Sequence, residues 1–543
     1  MTTAQALDWQ RCAGCRTLHY AKKLARCLGV CPDCEHHHRL TAAERIEQLV
    51  DAGTFVPAGT RAVVTDLLRF PDYRARLAKA RAETGLPDAV LCGTGRIAGR
   101  AVSLAVMDFR FMGGSLGAAV GELITRAAET AVRKRVPLLI VTASGGARMQ
   151  EGVLALMQMA KVSQAIAGVR DAGLLTVSLV TDPTYGGVAA SFATNCDVIV
   201  VEQGARMGFA GPRVIEQTIK QKLPADFQTA SFLLAHGQVD AVLHRRDLPG
   251  WLGALFAATS GGAEWVTERD DDGLVRSAKS LPSRDSWDVV TAARDTARPT
   301  ALDHISTALD GFVELRGDRL AADCPAIVAG FATLDGRPVA VVGHQKGHET
   351  AELVARNFGM PRPEGYRKAL RVMELAARLR IPILAFVDTP GAFPGQDAEE
   401  HGQSLAIAAN VLRMFELDTP IVTVVTGEGG SGGALALAVA DRVLMFENSV
   451  YSVISPEGCS SILWGDAKAA PEAARALRIT ARELLELGVV DGVLPEPADI
   501  RTAVTAAFAE LNGREDLIGS RRDRFRAFGT VGLLISEGGE VDG

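Results

Sequence analysis

The chain has 543 residues, of which 48% are hydrophobic and 22% charged, a balance that excludes a disordered chain and predicts a large buried core. A length of this order predicts about three to four domains, or two large ones with a small appendage. The net charge of −6 provides no overall positive field to attract nucleic acid or an anionic membrane. The 55 glycines and the low aromatic content of 5% favour an α/β fold in which backbone segments approach each other closely.

The sequence also predicts the cellular environment. No segment combines the ~18 uncharged apolar residues that a bilayer span requires, and the N-terminal residues lack the apolar stretch of a signal peptide. Five of the nine cysteines lie between Cys12 and Cys34, which does not suggest a disulfide framework. We therefore expect a cytosolic protein.

The first predicted element is a metal-binding knot over residues 1–40. Cys12 and Cys15 form one CxxC pair, and Cys31 and Cys34 form a second. Four thiolates in two such pairs select a tetrahedral Zn²⁺ ion. The sequence therefore predicts one structural zinc in a ribbon, with a redox dithiol or an iron–sulfur site as the alternatives.

The remaining residues of this region receive other interpretations. Cys27 has no partner in the motif and is expected to be a bystander. His36, His37 and His38 are possible replacement ligands, but we expect a solvated run after the knot. Residues 1–50 carry seven Lys/Arg and five Asp/Glu, so a Zn(Cys)₄ centre leaves the region close to neutral. Nucleic-acid binding is therefore not expected as a main function, although a secondary regulatory role stays open.

An internal repeat with a shift of about 245 residues organises the rest of the chain. In each copy a short apolar strand ends in a glycine turn, a second strand runs into a glycine pair, and an aspartate precedes a third strand. The matching segments are 136–146 with 381–391, 174–181 with 420–426, 186–190 with 432–436, 197–201 with 441–446, and 235–240 with 486–491. Short, continuously apolar strands that alternate with helices predict βαβ units and parallel sheets.

The repeat predicts the domain organisation. We expect two α/β domains, over residues 41–250 and 300–510, joined by a linker over residues 251–299 and followed by a tail over residues 511–543. Together with the zinc ribbon, these two domains account for the length of the chain.

Four glycine turns follow predicted strands, at residues 144–148, 183–187, 389–392 and 427–433. Glycine allows backbone N–H groups to face a cleft, where a pair of such donors can bind an oxyanion. Any one Gly-Gly pair is more often explained by tight helix–sheet packing. The recurrence of these turns in both copies of the repeat favours a shared chemical role.

Two motif lookalikes are rejected, and a third motif is absent. Residues 429–433 fit G-x-S-x-G, but the hydrolase elbow requires a later histidine, and the last histidine is His401. Residues 93–98 resemble a dinucleotide fingerprint, but a strand-like segment follows, so we predict a β-hairpin. The sequence contains no G-x-x-x-x-G-K-[ST] motif for nucleotide phosphates.

The sequence leaves the roles of several charged residues open. Lys346, Arg367 and Lys368 lie near the start of the second repeat, where they could bind a ligand phosphate or form a solvated surface. Arg148 and Glu151 follow the first glycine turn and could pair with each other on a helix.

Longer motifs carry a resemblance to a family. The chain resembles the carboxyltransferase of bacterial acetyl-CoA carboxylase with its β and α subunits fused. Besides the four cysteines, residues 8–250 share with the β subunit the strings FMGGS (111–115), SGGARMQE (144–151) and GFAGPRVIEQ (208–217). Residues 286–497 share with the α subunit the strings GHQKG (343–347), NFGMP (357–361), DTPGA (388–392), GEGGSGG (427–433) and ISPEGC (454–459). The resemblance covers roughly 85% of the chain.

The resemblance implies two tandem crotonase-like domains and the transfer of a carboxyl group from carboxybiotin to acetyl-CoA, which gives malonyl-CoA for fatty acid synthesis. It implies a biotin carboxyl carrier protein and a biotin carboxylase as partners, in an ATP-dependent complex, and a homo-oligomer of two or more chains. The sequence contains no Met-Lys dipeptide for biotin attachment, so the carrier is expected to be a separate protein.

The resemblance also implies site residues. The first half is expected to hold CoA and the second half biotin. We predict one oxyanion hole at Gly145 and Gly146 and another at Gly432 and Gly433. The predicted substrate-binding residues are Arg148, Lys346, Arg367 and Lys368.

Two other functions stay open beside these. A carboxyltransferase for propionyl-CoA or another acyl-CoA has a similar two-domain layout, but such chains generally lack the zinc ribbon. A crotonase-type hydratase, isomerase or hydrolase works with one such domain and usually positions acidic residues, which the duplication argues against.

Overall fold

The computed structural model describes residues 9–60, 62, 64–261, 264–267 and 271–529. The chain divides into two compact units. One comprises Met1–Ser260 and Val313–Asp323, and the other Gly261–Phe312 and Cys324–Gly543.

The first unit contains a small antiparallel hairpin and an eight-stranded mixed sheet. Its strands are β1 (Trp9–Arg11), β2 (Leu18–Tyr20), β3 (Val56–Pro57), β4 (Val90–Ile97), β5 (Arg100–Met107), β6 (Leu138–Ser144), β7 (Thr176–Tyr185), β8 (Val198–Glu202), β9 (Met207–Gly208) and β10 (Ala241–Leu243). The sheet order is β10-β8-β7-β6-β5-β4-β3, with β9 paired to β7. Strands β5, β6, β7, β8 and β10 run parallel, and β3, β4 and β5 are antiparallel neighbours.

Nine helices accompany these strands in the described part of the first unit. They are α1 (Ala21–Arg26), α2 (Ala42–Leu49), α3 (Tyr73–Thr84), α4 (Ala118–Lys134), α5 (Gly152–Asp171), α6 (Gly186–Ala189), α7 (Pro212–Ile219), α8 (Ala230–Ala235) and α9 (Leu248–Ala258).

The second unit repeats this sheet. Its strands are β11 (Asp310–Glu314), β12 (Ile327–Leu334), β13 (Arg337–His344), β14 (Ile383–Thr389), β15 (Ile421–Gly430), β16 (Arg442–Phe446), β17 (Val450–Ser452) and β18 (Gly492–Leu494). The unit boundary after Phe312 falls within β11. The order is β11-β12-β13-β14-β15-β16-β18, with β17 paired to β15. Strands β12 and β13 are antiparallel, and β13 to β16 and β18 run parallel.

Twelve helices belong to the described part of the second unit. They are α10 (Ser286–Ala293), α11 (Ala301–Ala308), α12 (Thr350–Ala355), α13 (Pro363–Arg378), α14 (Gln396–Glu400), α15 (Gln403–Met414), α16 (Ser431–Leu435), α17 (Pro456–Trp464), α18 (Ala470–Leu477), α19 (Ala481–Glu486), α20 (Ile500–Ala509) and α21 (Leu517–Ala527).

These elements confirm the α/β fold class and the repeat. The continuously apolar segments form buried parallel strands, since helices cover both faces of such sheets. The repeat extends to irregularities, because the register shifts between Thr142 and Ser144 in β6 and between Val387 and Thr389 in β14. The predicted hairpin over residues 93–100 is also confirmed, since β4 and β5 pair antiparallel across it.

The repeated aspartates stabilise the sheets. Each one directly precedes a strand, and its carboxylate accepts a backbone N–H at the start of the neighbouring strand at 2.6–2.9 Å. The pairs are Asp197 with Thr176, Asp240 with Ile199, Asp441 with Ile421, and Asp491 with Val443. Each carboxylate also contacts an arginine: Arg170, Arg319, Arg521 and Arg524, respectively. A single carboxylate therefore fixes strand register and pairs with an arginine, which is fully buried in the case of Arg521.

The predicted linker and tail contain ordered elements. Residues 251–299 include most of α9 and the whole of α10, whose Val289 and Val290 are buried in a small core of the second unit. Within the predicted tail, α21 places Arg521 in the interior, where the guanidinium bonds both oxygens of Asp441 at 3.0 and 2.8 Å. Residues 530–543 lie outside the described residues.

One described helical stretch, Met149–Asp171, is long and apolar enough to cross a membrane by length and composition alone. Its Lys161 donates to Glu122 of α4, and its buried side chains face the core of the first unit. These contacts are those of a helix that flanks a sheet.

Replacing Arg521 tests whether α21 is part of the second unit. In Arg521→Met the buried Asp441 loses its cation, and we expect a loss of about 3–5 kcal/mol in the free energy of unfolding of this unit. The matched control is Arg475→Met, since Arg475 forms an exposed pair with Asp285 at 2.8 Å, and its loss is expected to leave the unfolding midpoint close to that of the wild type. Urea unfolding followed by tryptophan fluorescence measures both, and equal midpoints for the two variants would contradict the assignment.

Candidate active site

In the first unit two turns meet at the carboxyl ends of neighbouring parallel strands, the edge where ligands bind in α/β sheets. Strand β6 ends at Ser144, and β7 ends at Tyr185, where α6 begins. A Cβ built on Gly186 would lie 3.1 Å from the Cα of Gly146 and 4.0 Å from the nitrogen of Ala147. The two turns are therefore in direct contact, and glycine at these positions permits the approach.

The second unit also brings two such turns into contact, at a different position of the helix that follows. Strand β14 ends at Thr389, and β15 ends at Gly430. A Cβ on Gly433 would lie 2.5 Å from the nitrogen of Ala392 and 2.9 Å from the carbonyl carbon of Gly391. Position 433 therefore has no room for a Cβ, because Gly433 packs closely against the neighbouring turn.

Strand register corrects the alignment of the two glycine pairs. Ser144 pairs with Thr184, and Thr389 pairs with Gly429. Gly186 therefore corresponds to Ser431, and Gly187 corresponds to Gly432, one residue away from the predicted match of 186–187 with 432–433. The backbone agrees, because Gly186 and Ser431 both have a positive φ, of 60° and 58°.

The predicted donor pair of Gly145 and Gly146 is not available in this structure. The N–H of Gly145 donates to the carbonyl of Gly113 at 2.8 Å, and that of Gly146 donates to Oγ of Ser144 at 3.0 Å. The next N–H, that of Ala147, has no acceptor among the residues that the structure describes.

The second turn has the same pattern. The N–H of Gly391 donates to Oγ1 of Thr389 at 3.0 Å, and Pro390 has no N–H. Within the described ranges, the N–H of Ala392 donates to no protein group. Ala147 and Ala392 are thus equivalent donors, 245 positions apart.

A second donor lies beside each of these. Gly187 and Gly432 occupy the second positions of α6 and α16, and N–H groups in a first helical turn have no partner within the helix. A Cβ on Gly187 would lie 3.9 Å from Cβ of Ala147. Each unit therefore holds two backbone donors in adjacent turns, an arrangement that can stabilise a developing oxyanion.

Arg148, a predicted substrate-binding residue, is buried and holds structural contacts in this structure. Its guanidinium bonds both oxygens of Asp88 at 2.6 and 3.0 Å and the hydroxyl and carbonyl of Ser115 at 3.1 and 3.0 Å. It also contacts Glu151 at 3.3 Å. Burial acts to lower the pKa of Arg148, but Asp88 outweighs burial and raises it, so the side chain stays charged and anchors the turn.

The structure separates Lys368 from Arg367. The side chain of Lys368, a predicted substrate-binding residue, is fully buried, and Nζ donates to the carbonyl of Cys324 at 2.8 Å. Arg367 is half-buried and donates to the carbonyl of His401 at 3.2 Å. Neighbouring positions on α13 thus face the core and the surface, respectively.

Lys346 lies at a cavity. Its Nζ contacts Oδ1 of Asp388 at 2.8 Å and Oε2 of Glu428 at 2.9 Å. Burial acts to lower the pKa of Lys346, but attraction to the two carboxylates outweighs burial and raises it. The ammonium group is therefore charged at neutral pH.

The cavity has a volume of about 380 Å³ and lies beside the second turn. Lys346, Asp388 and Glu428 line it together with Arg294, Arg298, Phe358 and Pro390. Arg294 bonds Glu428 at 2.8 Å and Glu457 at 2.6 Å. Sequence reasoning missed Arg294, because it falls in the predicted linker, and missed Glu428, because glycines surround it.

A left-handed turn beside each site was also missed. Met112–Gly114 has φ values of 50°, 69° and 62°, and Asn357–Gly359 has 49°, 54° and 73°. The two turns are 245 positions apart. Their residues differ (MGG and NFG), so only the shift of the repeat could have identified them.

The four cysteines of the knot cluster as predicted. Their Sγ atoms all lie within 4.8 Å of one another, and the Cys12–Cys34 and Cys15–Cys31 pairs are both 3.7 Å apart. A tetrahedron with metal–sulfur bonds of about 2.3 Å has edges of about 3.8 Å. The cluster can therefore hold a metal ion, and Cys27 lies outside it.

The expectation of a solvated histidine run is wrong. His37 is buried with Nδ1 at 3.5 Å from Glu202, and Arg245 donates to the carbonyl of His38 at 2.7 Å. Burial acts to raise the pKa of Glu202, but the facing Arg45 and Arg245 outweigh burial and lower it. This buried cluster attaches the ribbon to the first α/β sheet.

Comparisons with known proteins match both halves. Residues 35–245 match a family model described as a carboxyl transferase domain, and residues 276–520 match one described as acetyl co-enzyme A carboxylase carboxyltransferase-like.

Relatives match over nearly the whole chain. A protein of Salinispora tropica named acetyl-coenzyme A carboxylase carboxyl transferase subunits beta/alpha is 58% identical, over 97% of this chain and 97% of its own length. A protein of the same name from Clostridium tetani is 43% identical, over 96% of this chain and 93% of its own. The subunit alpha of Thermus thermophilus is 55% identical over 45% of this chain and 81% of its own.

Solved structures agree on the fold. The transcarboxylase 12S structure, a hexamer with methylmalonyl-coenzyme A bound, has a TM-score of 0.71 at 24% identity, over 87% of this chain and 90% of its own. A single-chain, multi-domain long-chain acyl-CoA carboxylase has a TM-score of 0.67 at 21% identity, over 87% of this chain and 46% of its own. These matches confirm the crotonase-like carboxyltransferase fold.

Substitutions at two adjacent glycines test whether the second turn has a role in turnover. In Gly433→Ala the new Cβ would meet the nitrogen of Ala392 at 2.5 Å, whereas in Gly432→Ala the nearest atom is Cγ2 of Ile407 at 3.7 Å. We expect Gly433→Ala to displace the turn and lower kcat for carboxyl transfer about a hundredfold, and Gly432→Ala to change it less than about threefold. Steady-state kinetics measures both, and full activity in Gly433→Ala would show that the turn has no role in turnover.

Proposed function

Since this chain belongs to the family of fused β/α carboxyltransferase subunits of acetyl-CoA carboxylase, we propose that its acceptor is acetyl-CoA and that it forms malonyl-CoA. The carboxyl group comes from carboxybiotin on a separate carrier protein. The observation that carries this proposal is the recurrence of two adjacent backbone donors in both units, at Ala147 and Gly187 and at Ala392 and Gly432.

The chemistry creates two oxyanions. Carboxybiotin loses CO₂ as its N–C bond breaks, and the electron pair remains on the ureido group, with charge on its oxygen. The ureido nitrogen removes a proton from the acetyl methyl group, which leaves an enolate on the thioester. The enolate carbon then forms a bond to CO₂. Each oxyanion requires hydrogen-bond donors that are already oriented, since donors placed before the reaction need no reorganisation.

We assign one donor pair to each oxyanion. The pair at Ala147 and Gly187 would bind the thioester enolate in the first unit, and the pair at Ala392 and Gly432 would bind the ureido oxygen in the second. This assignment keeps the predicted order of CoA in the first half and biotin in the second. It replaces Gly145 and Gly146 as donors, and it gives Gly433 a packing role.

Lys346 is the polar side chain best placed to bind substrate. An ammonium group has three N–H donors, and the contacts to Asp388 and Glu428 use two. The third can bind an oxygen of a ligand in the cavity beside the second turn. Arg367 remains a candidate for binding a ligand phosphate.

The partners follow from the reaction. A biotin carboxyl carrier protein must deliver the carboxyl group, and a biotin carboxylase must load it in an ATP-dependent step. The cytosol is the compartment where this complex would work. Assembly into a dimer or larger homo-oligomer is supported by the fold match to a protein whose structure is described as a hexamer.

The reverse reaction tests the proposal. Purified protein, free biocytin and malonyl-CoA should give biocytin-dependent loss of malonyl-CoA without ATP, measured by coupled detection of acetyl-CoA. Methylmalonyl-CoA is the matched donor, and a preference for it would move the acceptor to propionyl-CoA while keeping the carboxyl transfer. Absence of biocytin dependence with either donor, in zinc-loaded and assembled protein, would contradict the proposed function.

We propose further that the four-cysteine cluster holds one structural Zn²⁺, because four thiolates with near-tetrahedral spacing favour this ion. Cys31→Ser removes a buried ligand, and we expect zinc content to fall from about one per chain to near zero, with melting of the ribbon. Cys27→Ser, outside the cluster, should keep one zinc. The zinc content of both variants is measured by mass spectrometry. A full zinc content in Cys31→Ser would contradict the ligand set.

A further inference from the structure

We propose that Phe358 forms an apolar wall for the bicyclic ring of biotin in the cavity of the second unit and so determines which ligand this unit accepts. The inference rests on the proposed function, which assigns biotin to this unit. It concerns a residue that has no role in the donor pairs described above.

The first observation is the backbone of Phe358. Its φ is 54°, between Asn357 at 49° and Gly359 at 73°. Residues with a Cβ are strained in this left-handed region, and such strain is kept at functional sites where the surroundings impose it. Glycine would fit the backbone of position 358 without strain, so the side chain itself needs a reason to be there.

The second observation is where the side chain lies. Phe358 lines the cavity of about 380 Å³ that contains Lys346 and Asp388, and 46% of its surface is exposed. An exposed phenyl ring contributes little to core packing. Its position at the cavity therefore points to a ligand as its contact.

The third observation is the contrast between the two units. The position equivalent to Phe358 is Gly113, with a φ of 69°, so the same left-handed backbone carries no side chain there. The carbonyl of Gly113 accepts the N–H of Gly145, whereas the equivalent of Gly145 is Pro390, which has no N–H and lines the cavity beside Phe358. The two units thus share the backbone conformation of this turn, but only the second unit presents an apolar surface on it.

The cavity matches the two chemical sides of biotin. The fused ring has an apolar thioether half, which suits the faces of Phe358, Pro390 and Leu353, and a polar ureido half, whose oxygen can accept from Lys346 as well as from the donor pair that we assigned to it. A planar aromatic surface binds such a ring by dispersion and burial. A CoA thioester has no comparable fused ring at its reacting end.

Phe358→Gly separates strain from binding. It removes the ring and the strain together, so the thermal midpoint should equal or exceed that of the wild type while KM for biocytin in the reverse reaction rises about tenfold. KM for malonyl-CoA should change less than about twofold, because the variant removes no CoA contact. Phe358→Leu keeps apolar bulk and should raise KM for biocytin less.

Asn357→Gly is the matched control. It changes the adjacent left-handed residue, and it loses a bond from the side-chain amide to the carbonyl of Met360 at 2.8 Å, without touching the ring. KM for biocytin should stay within about twofold of the wild type. An equal rise in Asn357→Gly would assign the effect to the loop backbone and overturn the inference.

The remaining outcomes separate the role of Phe358 from the proposed function. An unchanged KM for biocytin in Phe358→Gly, with an active wild type, would overturn the role of Phe358 and leave the proposed function standing. A wild type without biocytin dependence would instead contradict the proposed function. If Phe358→Gly does not fold, an unchanged KM in Phe358→Leu and Phe358→Ala would overturn the inference.

Discussion

The candidate site depends on the contact between the turns that end adjacent parallel strands. In both units one turn presses against the start of the helix that follows the next strand, with Gly146 against Gly186 and Ala392 against Gly433. A Cβ at Gly433 would meet backbone atoms at 2.5 Å, and backbone cannot move aside as a flexible side chain can. This contact brings N–H groups from two turns to one place, so the donor pair is a product of the parallel sheet and not of either motif alone.

Buried charge holds these turns in place. Arg148 donates to Asp88, which lies just before strand β4, and to Ser115, which lies after strand β5. These bonds hold the loop after strand β6 in place. In the second unit Lys346 binds Asp388, which directly precedes the equivalent turn. A buried ion pair that loses one partner is strongly destabilising. The guanidinium of Arg148 in the first unit is therefore enclosed by protein groups, whereas the ammonium group of Lys346 in the second unit lies at an open cavity.

The two units share a backbone and differ in the side chains on it. Pro390 replaces Gly145, Ser431 replaces Gly186, and Phe358 replaces Gly113, each at a matching position of the repeat. Ser431 and Phe358 keep the positive φ that their glycine counterparts adopt without strain. A duplicated scaffold can thus present the same donors to two different ligands, because the donors belong to the backbone and the ligand surfaces to the side chains.

The sequence by itself determined the four-cysteine cluster, the parallel strands and the repeat, because CxxC spacing, apolar runs and glycine turns are local patterns. It also identified Lys346, which lies at the cavity, and Gly432, which is the second residue of α16, as candidate residues. Only the tertiary structure decided that Arg148 and Lys368 are buried, that the N–H groups of Gly145 and Gly146 are already bonded, and that α21 inserts Arg521 into the second unit. The partners in these interactions, such as Gly113 for Gly145 or Asp441 for Arg521, are far away in the chain. Hydrogen bonds between distant residues leave no local pattern, so folding alone decides which donors remain free for substrate.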